Sequence, residues 1–248
     1  MKITNISSNT FKSFNSQREE IEAKLNDRKK TEKRNKAVLA ASVAGALIPL
    51  ALYNAKRGKA AEIRDVFEKE GSKLKDKVLA STKIFEVEDI KQIGVSVTGS
   101  IGAGLLAGTI GEKNKDNKKA KYKEGLYGFL NCMIPMGIIT GAEALVSKKG
   151  IKTGILGKAG IVAGGIAGGM LLSNKIANGI NKAVFKEEDD KFEKREMKPS
   201  DCLVHLDDVL GVMVISKVPF AKQAGKVLPL IYSHVGYETG SKESHGKH

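Results

Sequence analysis

Four apolar blocks fenced by lysine constrain this chain more than any other feature. Residues 37–53 read AVLAASVAGALIPLALY and hold no ionisable side chain except the terminal Tyr53. Residues 93–111, 126–146 and 153–173 are apolar in the same way, interrupted by charge only at Glu143 and Lys158. A helix rises about 1.5 Å per residue, so roughly 20 apolar residues cross the ~30 Å hydrocarbon core of a bilayer. The last three blocks reach that length and the first sits at its short end. One long apolar helix is ordinary in a soluble domain. Four of them, each bounded by Lys-rich stretches, are hard to bury within 248 residues. The expectation is an all-α fold: a multi-pass transmembrane helical bundle of about four Gly-rich spans with extra amphipathic helices, integral to a membrane whose identity the sequence does not reveal.

Charge agrees with this reading. Lys and Arg number 42 against 28 acids, and the excess recurs between the apolar blocks instead of gathering on one motif. That distribution suits membrane flanks and anionic lipid bound through Lys-rich loops. Nucleic acid is not an expected partner, because neither zinc-finger spacing nor a basic-aromatic module is present. Aromatics are scarce and Trp is absent, which weakens both a soluble core and an interfacial belt. Cys132 and Cys202 are far apart and give no disulfide framework.

The chain divides by composition. Residues 1–36 form a polar N-terminal tail and a charged helix with no apolar face. Residues 37–173 are the membrane region, including an amphipathic helix over 58–80 whose Ile63, Val66, Phe67, Leu74 and Val78 recur at helical spacing. Residues 174–200 read as a charged connector. Residues 201–237 read as two short interfacial or re-entrant helices with a face of Phe220, Ala224, Val227, Leu228, Ile231 and Val235, and 238–248 as a polar tail. A cytoplasmic N-terminus puts the ten Lys/Arg of residues 54–92 outside, against the positive-inside rule.

Glycine is the second constraint. Residues 157–173, GKAGIVAGGIAGGMLLS, contain six glycines. A phosphate loop needs G-x-x-x-x-G-K-[ST], but Ala159 follows Lys158 and Lys152 stands where the first glycine belongs. A flexible linker would pair glycine with polar residues, whereas these lie among Ile, Val and Leu. Each glycine costs about 1 kcal/mol in an aqueous helix, but in lipid the helix persists because unpaired backbone groups are costlier. Gly160, Gly164 and Gly168 then form one row, with Gly157 in the same arc, Gly165 and Gly169 further round and Val162, Ile166 and Met170 opposite. This is a glycine zipper, a bare strip for a neighbouring backbone. Ser96, Ser100, Gly104 and Gly108 supply a second such row, Gly137 and Gly141 a third, and Ala37, Ala41 and Gly45 a fourth. A second copy of the chain could dock on such strips.

Reactive chemistry is thin. Cys202, His205 and Asp208 would share a helix face, but no second cluster completes a metal site, so no metal is expected. No nucleophile–base pair or paired carboxylates stand out, and neither catalytic residues nor a cofactor is expected. Asn131, Glu143 and Lys217 are the polar groups within or beside the apolar segments, where such groups are functional candidates. The function expected is a non-enzymatic structural or scaffolding bundle, with a small channel or transporter for an ion or small solute as the alternative.

Overall fold

The computed structural model describes residues 6–185, 206–215 and 220–244, and these are helical with short connections. Helix α1, Ile6–Asn54, runs unbroken for 49 residues. The charged stretch before residue 36 and the first apolar block are therefore one rod, about 70 Å long. Pro49 sits inside it, against Gly99. After Asn54 a π-helical turn, Ala55–Lys59, bends the chain at Gly58, whose φ of 95° only glycine adopts readily.

The single amphipathic helix expected over 58–80 is two helices, α2 (Ala60–Glu68) and α3 (Leu74–Thr82). Gly71, at φ 80°, turns the chain between them. A 3-10 turn, Lys83–Phe85, leads to α4, Ile90–Thr109. Asp89 caps α4 by accepting from the Lys91 and Gln92 backbones, while Gln92 reaches back to the Asp89 N–H. Helices α5, Lys115–Lys148, and α6, Ile155–Phe185, form an antiparallel pair. Their open ends meet where Lys119 and Lys123 lie over the Phe185 ring. Helix α6 continues past residue 173, so the connector expected from 174 begins as helix, with Ala177 and Asn181 buried.

Two further helices, α7 (Leu206–Ile215) and α8 (Ala221–Ser241), complete the described chain. Helix α8 is no surface element: it packs against α1, α4, α5 and α7. Ala224, Leu228 and Val235 of its expected face are buried, but Phe220 and Val227 are exposed. Tyr232, Gly236 and Gly240 turn inward in their place, and the helix runs on into the stretch expected to be a tail. The core joins Leu50, Ile93, Val97, Ile101, Met136, Ile139, Leu228 and Tyr232. Four helical stretches are long and apolar enough to cross a membrane: Arg28–Glu68, Ile90–Thr109, Lys115–Lys148 and Gly157–Phe185.

Candidate functional site

The tightest part of the molecule is the seam where α4 lies between α1 and α8. Gly45 of α1 and Gly99 of α4 meet backbone to backbone: a methyl group on either would overlap the carbonyl of the other. On the far side of α4 the carbonyl oxygens of Gly236 and Gly240 occupy the space where side chains of Gly104 and Gly108 would stand. Ser96, Ser100, Gly104 and Gly108 all turn inward. Ser96 Oγ donates to the Ala46 carbonyl at 3.3 Å, and Ser100 lies against Gly236. On α1 the inward residues are Val38, Ser42 and Ala46, whereas Ala37 is exposed.

The other glycine rows lie elsewhere. Gly157, Gly160, Gly164 and Gly168 of α6 are exposed, and a methyl group at the last three would meet nothing within 4 Å. At Gly157 it would touch only Thr153 of its own turn. The glycines that receive a neighbour are Gly165, under Ile139, and Gly169, under Pro135. The reason is steric: α5 presents bulky Pro135 and Ile139 to α6, and these fill notches instead of offering a bare backbone. The bulky arc of Val162, Ile166 and Met170 turns toward the core, opposite to expectation. Gly137 and Gly141 of α5 are exposed with nothing within 4 Å, for the same reason.

Two polar networks close the seam at its ends. At one end Asn54 and Gln92 are fully buried. Gln92 Nε2 donates to Asn54 Oδ1 at 2.5 Å, and Asn54 Nδ2 donates to the Ile84 and Glu86 carbonyls at 2.9 and 3.0 Å. Gln92 Oε1 in turn accepts from the backbone N–H groups of Glu88 and Asp89. The Val87 N–H donates to the Gly225 carbonyl at 3.0 Å, which ties α8 to the same knot. Arg57 pairs with Asp89 and Lys59 with Glu88 at its edge. Burial pushes the Asp89 carboxyl up, but its bond from the Gln92 N–H and its pair with Arg57 outweigh burial and hold it below the usual range.

At the other end Arg34 Nη1 donates to Glu112 at 3.0 Å and also pairs with Glu243. Lys121 is fully buried, donates to the Lys242 carbonyl and lies 3.9 Å from Glu112. Lys242 pairs with Glu124 at 3.0 Å, and Asn117 accepts from the Ser244 N–H at 3.0 Å. Burial raises the Glu112 carboxyl, but donors from Asn114 and Asn117 and the charges of Lys121 and Arg34 leave it below its ordinary value. The 20 residues of α4 separate the two networks, about 30 Å at 1.5 Å per residue.

The three polar candidates are not brought together. Asn131 is 3% exposed, and its Oδ1 has no hydrogen-bond partner. Glu143 is half-buried and lies twelve residues further along α5, about 18 Å along the helix axis. Lys217 lies outside the described residues, as do Cys202 and His205. Sequence reasoning missed the Asn54–Gln92 pair and Lys121. The D-x-x-Q spacing of Asp89 and Gln92 was a readable capping signal, whereas nothing local marks Lys121, which looks like one more lysine of a loop. No family model, curated protein or solved structure matches the chain.

Proposed function

We propose that this chain is an integral membrane protein whose helices cross the bilayer as one bundle, and that its role is structural: a non-enzymatic scaffold that fixes helices at short spacing. One observation carries the membrane reading. Beside the apolar core, many large apolar side chains face outward while small and polar ones are buried. Leu39, Ile48, Leu52, Leu106, Leu171 and Ile176 are exposed, whereas Ser42, Ser96, Ser100, Asn131, Ser173 and Thr239 are buried. Only 22–33% of each apolar window is covered by the rest of the chain. In water this arrangement leaves long apolar stripes on four helices facing solvent, far beyond what a soluble monomer exposes. In lipid it is the expected one, since close approach and buried hydrogen bonds hold helices together there.

The scaffold reading rests on the seam, where backbones meet without intervening space. The channel reading has one observation in its favour, the unpartnered Oδ1 of buried Asn131. Membranes carrying the protein are washed with alkaline carbonate; it stays in the pellet, and release into the supernatant sinks the membrane reading. Liposomes containing the purified protein stay silent to ions and small solutes. Flux that is lost in Glu143→Ala or Asn131→Ala replaces the scaffold with the channel.

A further inference from the structure

At the Asn54–Gln92 end a groove of about 440 Å³ opens between the π-helical turn that follows α1 and the start of α4, lined by Tyr53, Lys56, Arg57, Asp89, Ile90 and Lys91. We propose that it binds the phosphodiester headgroup of an anionic lipid, a reading that rests on the membrane assignment above.

Charge comes first. Three cations face one carboxylate, and that carboxylate is already committed. Asp89 takes Arg57 on Oδ2 and the backbone N–H groups of Lys91 and Gln92 on Oδ1. The Arg57 guanidinium also lies 5.6 Å from the centre of the Tyr53 ring. Neither Lys56 nor Lys91 pairs with a carboxylate among the described residues, and both are exposed. Two ammonium groups thus flank one groove with no counter-ion of their own. A headgroup phosphate supplies that charge.

Position comes second. Ile48 and Leu52 follow at a four-residue interval down α1 and are 57% and 61% exposed, and Lys56 comes four residues later in the π-helical turn. An acyl chain laid along Ile48 and Leu52 brings its headgroup to Lys56. Tyr53 stands at the same level, where interfacial tyrosines sit in bilayers. The groove at the opposite end lacks this arrangement. It is lined in part by Arg28, Glu32 and Lys36, and there Lys36 is paired with Glu32 at 2.6 Å, which leaves one cation in place of two.

The full-length protein is reconstituted in phosphatidylcholine vesicles containing phosphatidylglycerol. It is then exchanged into detergent, and retained lipid is counted by mass spectrometry. Phosphatidylglycerol is retained over phosphatidylcholine. Each lysine near a membrane surface contributes about fivefold to anionic-lipid binding, so Lys56→Gln with Lys91→Gln lowers retention by about 25-fold. Lys56→Arg with Lys91→Arg restores it. Lys148→Gln with Lys149→Gln, exposed lysines at the same end of the bundle, leaves it unchanged. Equal retention by the Gln pair and the wild type, at equal helix content, overturns the site while leaving carbonate resistance and the membrane reading intact. Full displacement of lipid by millimolar inorganic phosphate overturns the lipid in favour of a free-anion site. Release of the protein by carbonate fails the membrane reading itself, and the proposal with it.

Discussion

Helices α4 and α6 carry glycine rows of the same spacing and meet different fates. Gly104 and Gly108 of α4 are closed over by Gly236 and Gly240, whereas Gly160, Gly164 and Gly168 of α6 face outward with nothing near them. The difference lies in the neighbours. Helix α8 brings glycines of its own to α4, so two backbones can touch. Helix α5 brings Pro135 and Ile139 to α6, so the useful glycines are the single notches at Gly165 and Gly169. A bare strip permits close approach, but only a second bare strip achieves it.

The comparison breaks most sharply at Gly104. A leucine there must push back the Gly236 carbonyl, which puts it at the upper end of the roughly 1–3 kcal/mol that overpacking costs. Gly104→Leu therefore detaches α8, seen as a lowered unfolding temperature in detergent and new protease cleavage within 221–241. An unchanged melt means the two backbones are not in register as described. The next effect is at the knot that closes the seam. Asn54→Leu leaves Gln92 Nε2 and two carbonyls buried without partners, which costs about 1–3 kcal/mol. Chemical denaturation reads the loss, and Asn54→Asp, which keeps the acceptor for Gln92 but sets a buried carboxylate oxygen against the Ile84 and Glu86 carbonyls, does not recover it.

A smaller effect comes from pH at the opposite end. The Glu112 carboxyl is held below its ordinary value in the folded bundle. The folded state therefore takes up this proton less readily than the unfolded chain does. The stabilisation is complete above the ordinary glutamate value and is lost as pH falls through the depressed one. Melting temperature should drop over that acid window in the wild type and drop less in Glu112→Gln; parallel curves refute the clamp. The smallest effect is expected on α6. Gly168→Leu touches nothing and stays within about 0.5 kcal/mol, while Gly169→Leu, one residue on, runs into Pro135. Equal destabilisation by the two would place the wrong face of α6 against the bundle.

Helices were readable where charge stops and starts, because an uncharged run of twenty residues has few other ways to satisfy its backbone. The inward row Ser96–Ser100–Gly104–Gly108 was readable because four-residue spacing of small side chains marks a face. That spacing carries no information about the opposing helix, and on α6 the arc that carries it faces outward. The central position of helix α8, expected only as a short interfacial or re-entrant helix, was not legible for a related reason. Lys222, Lys226 and Pro229 interrupt its apolar residues, and much of its buried face is Gly225, Ser233, Gly236, Thr239 and Gly240, which no hydropathy argument selects. Asn54 and Gln92 are 38 residues apart and meet only once α1 and α4 align.

The place of α8 in the seam has a consequence in time. Gly104 must wait for Gly236, which the ribosome adds 132 residues later (236 − 104). At about 5–20 residues per second that is roughly seven to twenty-six seconds. For much of that interval α1, α4 and α5 have been made and their shared partner has not. The nascent bundle therefore passes through a stage with an open slot, which closes only once α8 has been made.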